Sequence, residues 1–261
     1  MTNGHLDFQV FLDAASEDVE RIAAVASNGG TGRVPACPEW TVNELLEHLH
    51  VVYRRLLAQV RAGDATSFTR PGATAFGAGG GTDAGVEHRV EALEVSWHEL
   101  RRALSDAGPG APCWNFTGSD LDAAWVARRM AHETSVHRFD AESIAGRPGP
   151  VERELAIDGI AELLEVGLPW ALARARDADD PRPAALAGTI CLVARDADAA
   201  FVIEVHGGVL RWRGGRGPAD VVAVGTASDL FLFCWNRLDV GRFEITGDVG
   251  ALSSWADLPG V

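Results

Sequence analysis

Hydrophobic positions recur at helical spacing through the first two-thirds of the chain and collect into short β-like runs in the last third. Between Leu6 and Ala26, the residues Phe8, Phe11, Leu12, Ala15, Val19 and Ile22 share one helical face. The glycine-rich stretch Asn28 to Gly32 ends that helix, and Pro35 and Pro38 keep the connection extended. A second helix opens on Thr41-Val42-Asn43-Glu44, a cap hydroxyl followed three residues later by a carboxylate, as in a capping box. Its apolar face runs through Val42, Leu45, Leu46, Leu49, Val52, Tyr53, Leu56, Leu57 and Val60.

A loose Gly-, Thr- and Ala-rich segment follows, from Gly63 to Gly85. It is long for a loop without structure of its own, which suggests mobility or the mouth of a cavity. Val86 to Leu104 reads as a third helix, broken by Gly108-Pro109-Gly110-Ala111-Pro112. A fourth, capped by Ser119 or Asp120, runs to about Ile144. Gly146 to Pro150 separates it from a fifth, roughly Glu152 to Arg174. Beyond the polar stretch Asp177 to Pro183, the β-like runs are Gly188 to Ala194, Ala200 to Val205, Val209 to Arg213 and Asp220 to Gly225. His206-Gly207-Gly208 reads as a hairpin turn. Ala227 to Leu238 has helical periodicity, Phe243 to Thr246 is a strand, and Val249 to Trp255 a short last helix. The expected architecture is α followed by α+β: a helical bundle over residues 1–180 and a small α+β domain over residues 181–261.

Charge and composition narrow the function classes. The formal net charge of −14 argues against nucleic acid or an anionic membrane surface as a partner. All 23 basic residues are arginine. Without lysine there is no Schiff-base chemistry and no Walker-type phosphate loop. Cys37, Cys113, Cys191 and Cys234 are scattered and form no CxxC pair, so zinc-finger and thioredoxin readings fail and a reducing compartment is expected. The N-terminus lacks a basic n-region and no apolar run approaches the roughly 20 residues of a membrane span, which places the protein in the cytoplasm.

The chemistry concentrates on the fourth helix. Val126, Met130, Glu133, His137, Asp140 and Ile144 fall on one stripe because successive helical residues turn by about 100°. Three of these six side chains are ionisable, and a carboxylate in an apolar core costs several kcal/mol unless it is paired or binds a metal. His132 and His137 lie about 140° apart around the helix, so they cannot share a metal as the histidines of H-E-x-x-H do. Glu133 and His137 can. A third ligand must come from another helix, where His48 and His50 flank the second helix's apolar stripe and periodicity does not choose between them. The pattern leaves two readings open: a divalent metal centre, or a buried Glu–His or Glu–Arg network.

The segment Cys37-Pro38-Glu39-Trp40-Thr41-Val42-Asn43-Glu44-Leu45-Leu46-Glu47-His48-Leu49 resembles the C-P-x-W-T-V-x-x-L-x-x-H-L opening of the mycothiol-dependent maleylpyruvate isomerase family, within the DinB-like metal enzymes. Ala131 to Glu142, Ala156 to Leu164, and Ala227 to Leu230 with Trp235 to Leu238 resemble its later signatures, in order. The resemblance implies metal ligands at His48, Glu133 and His137, zinc as the metal, and mycothiol as the thiol cosubstrate. His50 and His132 become bystanders or supporting groups. Asp140 either orients an imidazole, binds substrate or pairs with an arginine. Arg237 corresponds to an arginine of the family's C-terminal domain that suits a substrate carboxylate, against the plainer role of stabilising carbonyls at a helix end. The implied activity is cis–trans isomerisation of a maleylpyruvate-like substrate. Mycothiol S-transfer and a non-catalytic metal- or thiol-binding module are the alternatives.

Overall fold

The computed structural model describes residues 6–29, 32–63, 85–115, 117, 122–180, 188–206, 209–253 and 255. The chain divides into two compact units, Met1–Gly149 and Pro150–Val261.

The first unit contains four long helices: α1 (Phe8–Ser27), α2 (Val42–Ala62), α3 (Val86–Ala107) and α4 (Ala123–Ile144). α1 packs along α4, and α3 packs on both α2 and α1. The apolar faces anticipated from spacing form the core: Leu12, Ile22, Leu45, Leu46, Leu49, Leu93, Leu100 and Leu104 are fully buried. Each such leucine contributes about 1.5–3 kcal/mol by leaving water. The loose segment between α2 and α3 falls on residues 64–84, which lie outside the described residues. So do Ser119 and Asp120; Asp122 caps α4, its side chain accepting from the Trp125 amide at 3.1 Å.

The extended connection before α2 is a small hairpin, with β1 (Arg33–Val34) antiparallel to β2 (Cys37–Thr41). The prolines at 35 and 38 read as spacers from sequence, and two strands this short carry no alternation to reveal them. β2 runs directly into the cap of α2. Thr41 accepts from the Asn43 amide at 3.2 Å, and Glu44 accepts from the Thr41 amide at 2.8 Å and from its hydroxyl. The capping box is complete.

α1 is joined to α4 by a buried charge network. Arg138, among the largest fully buried side chains, donates to Asp18 at 3.0 Å, to Glu142 at 2.8 Å and to the Gly149 carbonyl at 2.7 Å. Ser135 donates to the other oxygen of Asp18, and Arg21 to the other oxygen of Glu142. Burial pushes the Asp18 carboxyl up, although Arg138, Ser135 and Arg21 all favour its charged form.

The second unit begins thirty residues before the boundary expected at 180. α5 (Arg153–Glu162) packs on α7 (Ala227–Cys234), so the fifth helical segment groups with the sheet rather than with the bundle. The continuous helix expected over 152–174 is interrupted. A wide π-turn spans Leu163–Gly167 and α6 follows at Leu168–Asp177. Pro169 stands in the first turn of α6, where its missing N–H removes a regular α-helical bond. The sheet contains β3 (Gly188–Ala194), β4 (Ala200–His206), β5 (Val209–Gly214), β6 (Val221–Gly225) and β7 (Glu244–Gly247), ordered β5-β4-β3-β6-β7. Its pairs are antiparallel except β3 with β6. His206 pairs with Val209 across the predicted hairpin, whose Gly207 and Gly208 lie outside the described residues. α7 packs on β3, and α8 (Val249–Ser253) on β3 and β6. α7 is shorter than the predicted span to Leu238 because Asn236 turns into the left-handed region at φ 58°. No helix of the described residues is long and apolar enough to cross a membrane.

Thr41→Ala should lower stability by about 1 kcal/mol, the usual cost of losing a hydroxyl cap, read by denaturant unfolding. The Thr41 hydroxyl and amide hydrogen bonds hold the Glu44 carboxyl below its ordinary 4.5. Its contribution is therefore present above about pH 4.5 and lost as pH falls through the lower folded value. Wild type and Glu44→Gln should differ at neutral pH and converge in acid.

Candidate metal centre

α2 and α4 supply the site. The capping box fixes the start of α2, and two turns later His48 emerges beside the buried Leu45–Leu49 face. α4 is buried along most of its length, and its stripe carries Glu133, His137 and Asp140. The Nε2 atom of His48 lies 3.0 Å from Oε1 of Glu133, and the Nε2 atom of His137 lies 3.4 Å from the same oxygen. One ligand atom from each of the three residues falls within 4.8 Å of the other two. Two ligands at zinc bond lengths of 2.0–2.2 Å in a tetrahedral site stand about 3.3–3.5 Å apart. The spacing and the two-nitrogen, one-oxygen donor set thus suit a small divalent ion, and His48, Glu133 and His137 are the residues that can hold it.

His137 and Glu133 are each held from behind. Asp140 is 1% exposed, and its Oδ2 accepts from Nδ1 of His137 at 2.9 Å. That bond holds the ring with Nδ1 on Asp140 and Nε2 toward Glu133, so that the neutral ring, its proton kept on Nδ1, would offer the Nε2 lone pair to a metal. Of the roles left open for Asp140 by sequence, contact with an imidazole is the one this bond displays. Arg129, one turn before Glu133 on α4, donates to its Oε2 at 2.5 Å. Burial opposes the Glu133 charge, but the Arg129 guanidinium and the hydrogen bonds from His137 and His48 prevail and hold its carboxyl well below the usual range. Burial likewise opposes a charged His137, and the Asp140 and Glu133 hydrogen bonds prevail to raise its pKa above 6.5.

Trp40, the penultimate residue of β2, covers the pair of imidazoles. Its ring centroid is 4.9 Å from that of His48 and 5.8 Å from that of His137, and the two imidazoles are 4.8 Å apart, edge to face. Aromatic residues at element ends are usually core, so spacing alone gives no reason to single this one out. The available signal is its place one residue before the cap of the helix that carries His48.

The remaining histidines are placed elsewhere. Nδ1 of His50 faces the Ala92 carbonyl at 3.0 Å, which directs it to α3. His132 is fully buried, edge-on to Phe11 of α1. Arg237 belongs to the second unit, half-buried on the turn after α7, and donates to the Trp235 carbonyl at 2.7 Å. Trp235 is 7% exposed and packs against Phe231.

Fold and site together define a helical-bundle protein with a two-histidine, one-carboxylate cluster. A family model described as the mycothiol maleylpyruvate isomerase N-terminal domain matches residues 12–142, half of the chain and the part that contains all three cluster residues. The chain belongs to that family. Two crystal structures of the mycothiol-dependent maleylpyruvate isomerase share the fold. One is similar at 14% identity and the other, a histidine-to-alanine mutant, at 13%. Each match covers 94% of this chain and 95% of the other, with a TM-score of 0.65. Comparison with curated protein sequences finds no match.

Asp140→Asn should weaken zinc affinity about 10- to 100-fold in calorimetric titrations, whereas His50→Ala should leave it unchanged. A proton and a metal compete for Nε2 of His137. Affinity in the wild type should therefore fall as pH drops through the raised His137 value, above 6.5, and in Asp140→Asn that fall should move to lower pH.

Proposed function

We propose that this protein is a metal-dependent enzyme that uses mycothiol as a nucleophile toward an electron-poor small molecule, with cis–trans isomerisation of a maleylpyruvate-like substrate as its reaction. The observation that carries the reading is the convergence of His48, Glu133 and His137 on one point in a chain of this family. Zinc fits the donor set best. A divalent ion held there would lower the pKa of a coordinated thiol so that the thiolate exists at neutral pH.

The chain's own residues prepare that chemistry. With a metal bound, Asp140 would hold the remaining proton of His137 on Nδ1, away from the site. Arg129 occupies one oxygen of Glu133 and leaves the other facing the imidazoles. Trp40 packs against both rings. Among the described residues the cluster contains three protein ligands, which supports a catalytic site with an open position over a closed structural one. Arg237 is proposed to receive a substrate carboxylate, a role its forked guanidinium suits. Reversible addition of a thiol across a conjugated cis double bond permits rotation to trans; retention of the adduct would make the same site an S-transferase.

The thiols of Cys37, Cys113, Cys191 and Cys234 fit a reducing, cytoplasmic setting.

Purified protein should contain close to one equivalent of divalent metal and, with mycothiol and maleylpyruvate, should consume the cis-enone absorbance; chelation or Glu133→Ala should abolish both. A stable mycothiol adduct in the mass spectrum would point to transfer. Bound metal without turnover of any electrophile would favour the binding module. Arg237→Ala should raise KM for an anionic substrate roughly 10- to 100-fold, the value of a charged hydrogen bond.

A further inference from the structure

The two glutamates of α4 that face arginines one turn earlier are satisfied in different ways. Glu142 has both oxygens taken up by donors: Arg21 on Oε1, with Arg138 and the Gly149 amide on Oε2. It is a saturated carboxylate in a structural network. Glu133 repeats the same spacing with Arg129, whose guanidinium meets Oε2. Oε1 faces the two imidazole nitrogens at 3.0 and 3.4 Å. The Arg129 and Glu133 side chains are 9% and 18% exposed, so solvent has little access to reorganise the pair.

A carboxylate beside a metal can bind through one oxygen or both, and a free terminal torsion lets it exchange between the two. A guanidinium fixed on one oxygen removes that choice, because the hydrogen bond would have to break before Oε2 could turn inward. We propose that Arg129 is a positioning residue: it reserves Oε1 of Glu133 for the metal, limits Glu133 to one-oxygen ligation, and thereby keeps a coordination position open for the thiol. This rests on the metal-centre reading above. Arg129 itself is not a ligand and touches no reacting atom; it acts through Glu133. A lysine in its place would retain the charge but lose the planar, directional donors that fix the carboxylate's rotation.

Cobalt(II) added to the metal-free full-length protein reports coordination number through its visible absorption. Wild type, Arg129→Gln and Arg129→Lys are compared, with circular dichroism confirming the fold of each. Wild type should show the intense bands of a four-coordinate ion. Arg129→Gln should show weaker, shifted bands of a higher coordination number and about tenfold lower cobalt affinity, with Arg129→Lys between the two. If Arg129→Gln does not fold, the Arg129→Lys spectrum decides: a shift supports the proposal, and a wild-type spectrum overturns it. Wild-type spectra and affinity in a folded Arg129→Gln overturn the role of Arg129 while leaving the metal centre intact. Failure of the wild type to take up cobalt overturns both.

Discussion

The carboxylate of Glu133 has to remain charged at a half-buried junction of two helices, and the site is organised around that requirement. Burial alone would favour its neutral form. Arg129, His48 and His137 reverse the balance, and each does so from a position fixed by something else. The capping box sets where α2 begins and hence where His48 emerges. Asp140 sets the face that His137 presents. The Arg138 network, five residues along α4 from Glu133, ties that helix to α1. Removing one partner from such a cluster leaves a buried charge uncompensated, which costs more than the pair contributes while intact.

The same residues explain why α4 is unusual among the helices of the bundle. Arg128, Arg129, His132, Thr134, Ser135, His137, Arg138, Asp140 and Glu142 are all buried on it. A helix this polar cannot be held in a core by hydrophobic burial alone. It depends on directional pairings, such as the Thr134 hydroxyl with Tyr53 and Ser135 with Asp18. That dependence favours a site whose side-chain positions are over-determined, which a metal centre requires.

Much of the bundle was legible in the sequence because its information is periodic. The leucine stripe of α2, the capping box at Thr41 and Glu44, and the shared face of Glu133 and His137 all follow from helical geometry, and the structure contains each of them. Periodicity could not choose between His48 and His50, which flank the same stripe; resemblance to the family chose His48, and the structure sends His50 to the Ala92 carbonyl. The features that were illegible are those set by tertiary contact. The β1–β2 hairpin is too short to alternate, and Trp40 becomes informative only once α2 and α4 meet beneath it. The grouping of α5 with α7 depends on packing partners far apart in sequence, so the polar stretch after Asp177 looked like the stronger boundary.

The account stands on the convergence of His48, Glu133 and His137 about a single ion. Anomalous diffraction from a zinc-loaded crystal, recorded on either side of the zinc absorption edge, tests that directly. The account predicts one strong edge-dependent peak bounded by Nε2 of His48, Nε2 of His137 and a single oxygen of Glu133. A crystal with zinc in excess that shows no such peak between these three side chains, or shows it on other residues, would contradict it.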